Sequence, residues 1–356
     1  MRLLVEHFGG VEPVFRASLT ELEAAGLQAV AAQSLATKKS LELAQEEMVR
    51  ASAAGAAILT LDDPAYPALL RQIYDPPLVL YVRGEAAMLS RHALAVVGTR
   101  HPTPYGLGMA ERLAADLAAR GLVIVSGLAR GVDAAAHRGA ITARGLTAAV
   151  FGTGIDVVYP RENRKIADSI LALGGALISE FPVGTAPVPQ NFPIRNRIIS
   201  GLALGVLVVE AAEFSGTRVT ARCALEQNRD VFAVPGNVTS KNAWGPNTLI
   251  KQGARLTATW EDVWDDLPAH VRDELAPRVT SSEVPGTPSL FDDDSLGPQA
   301  AKVFRLLKPD ETVHIDELVV ALEPEVSASE IFAALFELEL AGKVRQLPGK
   351  NFVRSF

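Results

Sequence analysis

Residues 122–137 read LVIVSGLARGVDAAAH. A short unbroken apolar run, Leu122–Val125, meets Ser126-Gly127 and then passes into an alanine-rich stretch that ends at His137. Uninterrupted aliphatic residues bounded by a small-residue turn are the pattern of a strand covered on both faces, and the spacing that follows is helical. The same succession recurs outward in both directions. Apolar runs at Leu94–Val97, Ala148–Phe151, Ala176–Ile178, Val206–Val209 and Val231–Val234 are mostly followed by glycine-rich turns, with amphipathic segments between them. Strands alternating with helices predict an α/β fold, a doubly wound parallel sheet clad by helices on both sides.

The flanks read differently. Residues 1–60 are rich in Ala, Leu and Glu, with Leu35, Leu41, Leu43 and Met48 at helical spacing and turns at Phe8-Gly9-Gly10 and Ala25-Gly26-Leu27. They predict a small helical module ahead of an α/β domain at 61–268. Residues 269–296 are rich in Pro, Ser and acid and include Asp292-Asp293-Asp294. Such a composition buries too little surface to fold alone and reads as an acidic linker, with Trp260 and Trp264 in the last helix before it. In 297–356, helical segments ending with Ala328–Ala341 lead to Gly342-Lys343-Val344-Arg345 and Gly349-Lys350-Asn351-Phe352-Val353, the pattern of a winged helix with a two-stranded wing.

The 356 residues carry 34 Lys+Arg against 41 Asp+Glu, a formal net charge of −7. As an average, that value argues against a nucleic-acid partner. Resolved by region it does not: residues 98–260 hold 17 basic and 11 acidic side chains, whereas 261–296 hold 2 and 10. The α/β domain is positive and the deficit lies behind it. A single cysteine, Cys223, excludes a disulfide scaffold and a Cys-based zinc site, and it fits a reducing compartment. With no apolar run long enough to cross a bilayer and no secretory pattern at the N-terminus, a cytoplasmic setting without membrane contact is expected. The six histidines have no metal-ligand spacing, so neither metal nor cofactor is expected.

Chemistry concentrates in the loops. In Gly98-Thr99-Arg100 the glycine permits close backbone approach and the arginine can clamp an oxyanion through two N–H groups. Ser126, Gly127, Ala129 and Gly131 form the turn quoted first, leading into a helix N-terminus, a natural anion site. Gly152-Thr153-Gly154 ends the third strand and leads to VVYPREN at 157–163. These loops fall at the carboxyl ends of neighbouring strands, where open α/β sheets take ligands. Taken singly, each is equally a tight turn, and none completes the G-x-G-x-x-G fingerprint of dinucleotide binding. FPIRNR at 192–197 places an aromatic before two arginines and an asparagine, a set suited to phosphates and stacked bases. The alternative is ion-paired surface arginines and a core phenylalanine. Ser215-Gly216-Thr217 opens a later helix with hydroxyls. Asp133 and His137, four residues apart, read as braces of their helix, and Cys223 as packing.

In order along the chain, GTR (98–100), SGLARGVDAAAH (126–137), GTGIDVVYPREN (152–163), SEFPVGTAP (179–187), FPIRNRIISGL (192–202), SGTRVTA (215–221) and VPGN (234–237) closely resemble the DprA (Smf) family of DNA-processing proteins. The likeness is dense over residues 60–260 and weaker on the flanks. It implies an extended Rossmann domain with an N-terminal helix-hairpin-helix or SAM-like module and a C-terminal winged helix. It also implies a non-enzymatic, cytoplasmic homodimer that binds single-stranded DNA in natural transformation, protects incoming DNA and helps load a RecA-type recombinase. Loops and resemblance together give the expected nucleic-acid-binding set: Gly98, Thr99, Arg100, Ser126, Gly127, Ala129, Gly131, Arg161, Asn163, Phe192, Arg195, Asn196, Arg197, Ser215, Gly216 and Thr217. Thr99 stands for the family's serine and Arg161 for a frequent lysine. Pro187-Val188-Pro189-Gln190 lacks a lysine that some relatives carry before the phenylalanine.

A competing reading is a nucleotide-monophosphate phosphoribohydrolase, since the fold is similar to that family's and its mark is P-G-G-x-G-T-x-x-E. The nearest match here is EFSGTRVT at 213–220, which has no proline and puts Thr220 at the place of the catalytic glutamate. A hydroxyl cannot stabilise an oxocarbenium-like centre as a carboxylate does. In the winged helix, Lys343, Arg345 and Lys350 would line the wing. Glu330, Glu337 and Glu339 on its third helix oppose entry into a DNA groove and favour a protein-interaction or auxiliary strand role.

Overall fold

The computed structural model describes residues 2–213, 215–275, 298–308, 312–323, 326–340 and 343–354. At its N-terminal end, α1 (Arg2–Phe8), α2 (Val11–Arg16), α3 (Leu19–Ala24), α4 (Ala29–Ala36) and α5 (Lys39–Ala53) form the expected helical region, closing over Leu4, Val14, Leu22, Ala32 and Leu35. Ser18 and Glu21 start α3 with a reciprocal capping box. On α5, however, Leu41, Leu43 and Met48 are exposed. The helix turns its other side to the α/β domain, where Ala51 packs with Tyr81 and Leu128 and the Glu47 carboxylate accepts the Val183 N–H at 2.7 Å.

Nine strands form one sheet: β1 (Ala57–Thr60), β2 (Val79–Gly84), β3 (Ala93–Val97), β4 (Val123–Ser126), β5 (Thr147–Val150), β6 (Ala176–Ser179), β7 (Gly205–Val208), β8 (Asp230–Ala233) and β9 (Arg255–Leu256). Their order is β1-β2-β6-β5-β4-β3-β7-β8-β9. The six expected strands are all present, and β3 to β9 pair in parallel. The parallel pattern stops at β6, which β2 joins antiparallel, with Tyr81 opposite Ser179; β1 then pairs antiparallel with β2. A domain start after residue 60 therefore leaves β1 on the wrong side of the boundary.

The alternation of side chains decides which helices cover which face. The helices of this domain are α6 (Ala68–Arg71), α7 (Pro104–Ala119), α8 (Val132–Thr142), α9 (Arg164–Ala172), α10 (Asn191–Gly201), α11 (Thr217–Glu226), α12 (Trp244–Lys251), α13 (Trp260–Trp264) and α14 (Ala269–Leu275). Leu94, Val96, Ile124 and Leu207 point to one face, under Leu113 and Leu117 of α7, Ala136 of α8 and Val263 of α13. Ala95, Val97, Val125 and Val206 point to the other, under Leu70 of α6, Ile198 and Ile199 of α10 and Ala224 of α11. The segment expected as linker opens instead with α14, whose Val271 and Leu275 are buried in the first of these cores. Acidic side chains on one face hide its apolar spacing in a composition average. The remainder of the expected linker, 276–296, lies outside the described residues.

Beyond it, α15 (Pro298–Leu306), β10 (Val313–His314), α16 (Ile315–Leu322), α17 (Ala328–Leu340), β11 (Val344–Leu347) and β12 (Asn351–Arg354) build a winged helix around Val303, Leu318, Leu335 and Phe352. Its sheet has the order β10-β12-β11, one short strand more than the expected wing. Among the described residues, no helix is long and apolar enough to cross a membrane.

The backbones of α7 and α8 approach closely at Gly139. A Cβ on Gly139 would lie 2.1 Å from the Glu111 carbonyl oxygen. Alanine improves helix propensity by about 1 kcal/mol, but this contact pushes two buried helices apart. Gly139→Ala should therefore lower stability by about 1–3 kcal/mol in urea denaturation, the cost of an overpacked core.

Candidate nucleic-acid interface

The chain leaves β3 toward β4 on one side and returns to β7 on the other, so the carboxyl ends of β3 and β7 form the switch-point crevice. Thr99, following β3, donates its N–H to the Glu210 carbonyl after β7 at 2.7 Å. The buried Glu210 carboxylate accepts the Thr103 N–H at 2.8 Å and its hydroxyl at 2.6 Å, fixing the start of α7. Over this join opens a cleft of about 580 Å³ whose rim includes Arg100, Tyr159, Pro189, Phe192, Asn196 and Ser215.

The rim combines aromatic faces with cations. The Arg100 guanidinium lies 5.7 Å from the centre of the Phe192 ring. Tyr159, 44% exposed, stands 5.7 Å from the same ring with the planes 38° apart. Phe192 can sit on the end of β5 because residue 152 is glycine: a Cβ there would come within 2.8 Å of the ring. Arg161 is exposed two residues beyond Tyr159. Among the described residues, neither Arg100 nor Arg161 has an acidic partner. The exposed Arg130 beside them is held by Glu162 through bonds of 2.7 and 2.8 Å. At the far lip, the Ser215 hydroxyl accepts the Thr217 N–H at 3.2 Å at the start of α11, and Gly216 faces open space. The Asn196 amide approaches the Gly216 carbonyl at 3.5 Å, linking α10 to this lip.

The floor is closed, and several expected contacts are engaged inside it. Ser126 is buried and donates to the Val96 carbonyl at 2.6 Å. The N–H groups of Gly127 and Ala129 point at the Asp133 carboxylate, at 3.2 and 3.4 Å. Asn163 is buried and uses its amide on the carbonyls of Leu128 and Ala129. Gly98 packs on Val132, and Gly131 caps α8 with its φ at +74°. Arg195, expected to grip the strand, is 4% exposed. Its Nη1 donates to the Gly127 carbonyl at 2.8 Å and also to the Val150 carbonyl. Arg197, five residues beyond Phe192 and so about 140° around the helix, makes two 2.7 Å bonds to Glu180. Arg197 follows the alternative of an ion-paired arginine, whereas Arg195 fits neither reading, being buried and bonded to carbonyls; Phe192 does not follow the core alternative, since it lines the cleft.

Burial pushes the Asp133 carboxyl above its ordinary range, against the opposing pull of Arg195, the two N–H groups and Arg100. Burial likewise draws Arg195 down to about 10, so it stays protonated at neutral pH. His137, bonded to the Thr147 hydroxyl at 2.7 Å, is held neutral because burial lowers its pKa to about 3. It braces α8, as its spacing with Asp133 implies.

Of the rim residues named above, Tyr159 and Pro189 are absent from the expected set. The signal for Tyr159 was an aromatic beside Pro160 in a polar loop. Thr220 is buried at the cleft, and Asp133 is the carboxylate among the described lining residues. No three His, Cys, Asp or Glu side chains converge for a metal among the described residues. In the winged helix, Phe332 and Phe336 stand exposed one turn apart on α17, beside Glu330, Glu337 and Glu339. An apolar, acidic outer face opposes a phosphate backbone.

A doubly wound α/β domain with a cation- and aromatic-rimmed cleft at its switch point, followed by a winged helix, defines a narrow class of protein. The chain belongs to the DNA recombination-mediator protein A family, whose profile matches residues 57–268, and the DprA winged helix domain matches residues 287–350. It is 41% identical over 302 residues to Protein Smf of Escherichia coli (strain K12), covering 83% of this chain and 77% of that one. To the DNA processing protein DprA of Bacillus subtilis (strain 168) it is 42% identical over 241 residues, covering 66% and 81%. The X-ray structure of DprA from Streptococcus pneumoniae superposes with a TM-score of 0.63 at 34% identity, over 71% of this chain and 87% of that one. DNA processing protein A from Helicobacter pylori, solved for its single-stranded DNA binding mode, gives 0.54 at 29% identity, over 63% and 98%.

The buried arginine and the exposed one should separate in experiment. Arg195→Met removes the partner of two carbonyls and of a buried carboxylate, and should cost about 3–5 kcal/mol in chemical denaturation. Arg100→Ala should leave the unfolding midpoint where it is.

Proposed function

We propose that this protein binds single-stranded DNA across the cleft at the ends of β3 and β7, without catalysing a reaction on it. The observation that carries this reading is the rim: the exposed Tyr159 ring beside the half-buried Phe192 ring, with the exposed Arg100 guanidinium over Phe192 and, among the described residues, in no ion pair. Stacked rings accept any base face, and cations accept backbone phosphates, so affinity comes without base identity. A duplex hides the base faces that such a rim requires. Family membership and the Helicobacter pylori relative's single-strand binding support the same conclusion.

In this reading Arg100 neutralises a phosphate while its aliphatic stem and guanidinium plane border Phe192. Tyr159 and Phe192 receive neighbouring bases. The hydroxyls and backbone at Ser215–Thr217 line the far side of the strand. Arg195 and Arg197 act by positioning α10. The protein works as a cytoplasmic homodimer in natural transformation, protecting incoming strands and helping to load a RecA-type recombinase.

Equilibrium binding to oligothymidylate and to duplex, titrated across salt, tests the assignment. Arg100→Ala should weaken single-strand binding and flatten the log–log salt slope by about 0.7 to 1. Phe192→Ala should cost about 1–3 kcal/mol with little change in slope, because stacking releases no counterion. Wild-type affinity in both variants would remove the strand from this cleft. Recombinase loading is checked separately, by whether the protein accelerates RecA filament formation on strands coated with single-strand-binding protein.

A further inference from the structure

A second aromatic–cation pair lies just beyond the cleft, and its aromatic member, Trp244, lies outside every motif the sequence offered. Trp244 opens α12. The Gly245 N–H donates to the Ala211 carbonyl at 2.8 Å, and the Ala211 N–H donates to the Asn242 carbonyl at 2.8 Å. The Asn242 amide in turn reaches the His101 carbonyl at 2.9 Å. These bonds tether the 241–245 segment to both lips of the cleft: the Arg100–His101 loop, and the Ala211–Ala212 stretch that follows β7. From the neighbouring helix comes Arg218, adjacent to the cleft-lining Thr217. Its guanidinium lies 5.3 Å from the centre of the Trp244 ring and donates to the Glu213 carbonyl at 2.8 Å. Trp244 is 38% exposed, and Arg218 and Lys241 are exposed.

We propose that Trp244 and Arg218 form a second nucleotide subsite for the strand that leaves the Arg100–Phe192 cleft. The indole stacks one base, and Arg218 neutralises an adjoining phosphate with Lys241 beside it. The inference rests on the single-strand reading above and extends it. The chemistry matches the first platform: a partly exposed aromatic ring, a guanidinium over it, and hydrogen-bonded ties to the same sheet end. Indole presents the largest aromatic face among side chains and is tolerant of base identity. The subsite adds affinity only for strands long enough to span both platforms.

Tryptophan fluorescence of the full chain reads the subsite directly. Of the three tryptophans, Trp260 and Trp264 belong to α13 and pack against the helical face of the core, with Arg120 over Trp260. Oligothymidylates of about 4 and about 15 nucleotides serve as short and long probes. The long probe should quench the wild type. Trp244→Phe should lose the quench yet keep its affinity within about threefold, since a smaller ring still stacks. Trp244→Ala should lose the quench and bind the long probe about tenfold more weakly, with the short probe unchanged. Arg218→Ala should lower the salt slope for the long probe alone. Quenching that persists in Trp244→Phe, full long-probe affinity in Trp244→Ala, or equal losses on both probes would overturn the subsite. If these occur while Arg100→Ala still weakens binding, the cleft reading stands and only the subsite falls. A wild type that binds neither probe overturns both.

Discussion

The guanidinium of Arg195 joins three segments that are distant in the chain. It reaches from α10 under the cleft to the Gly127 carbonyl after β4 and the Val150 carbonyl at the end of β5. Burying an unpaired charge costs several kcal/mol, so this one depends on what surrounds it. The neighbouring Asp133 supplies the opposite charge, and Asp133 is in turn held by the N–H groups of Gly127 and Ala129. The closure needs a residue without a side chain at 127, because a Cβ there would lie 2.5 Å from Arg195 Nη1. Arginine, glycine and aspartate therefore act as one unit, and the position of α10, with Phe192 on it, follows from that unit.

This arrangement divides the cleft into a floor and a rim with different physics. In the floor, the Ser126 hydroxyl, the Asn163 amide and the Gly127 and Ala129 N–H groups find partners within the protein, as most buried polar groups do, whereas the buried Arg195 Nε makes no hydrogen bond among the described residues. At the rim, Arg100 and Arg161 are exposed and, among the described residues, in no ion pair, and the aromatic rings remain half open. Net charge is a poor guide to such a surface, since a ligand responds to the local field. The acidic excess of the whole chain is compatible with a rim that attracts anions.

Much of the fold was legible because both-face burial leaves an unmistakable aliphatic run, as in β3, β4 and β7. The antiparallel β1–β2 pair was not, because its place in the sheet depends on pairing with β6 far along the chain. The α5 face was misread because that helix serves two cores, so Leu41 and Met48 at helical spacing point to solvent. At the site, the motifs pointed to loops and a helix that border the cleft but did not show that Arg195 is buried within it. The distinguishing signal is phase: Arg195 precedes the buried Ile198 and Ile199 by three and four residues, on the inward side of α10. Trp244 left no such trace, since its place beside the cleft follows from bonds that its neighbours Gly245 and Asn242 make to Ala211 and His101.

The Asp133 carboxylate has a consequence for what the cleft ignores. The N–H groups of Gly127 and Ala129 look, in sequence, like a berth for a free phosphate, yet they already have an occupant tethered one helical turn away. A small anion must displace an intramolecular competitor that never diffuses off, and it brings no stacking across two rings to offset the exchange. Dissolved nucleotides and inorganic phosphate thus meet a filled socket, whereas a polymer can bypass it by holding the rim at several points at once. Selectivity for chains over monomers would then be a property of one internal side chain.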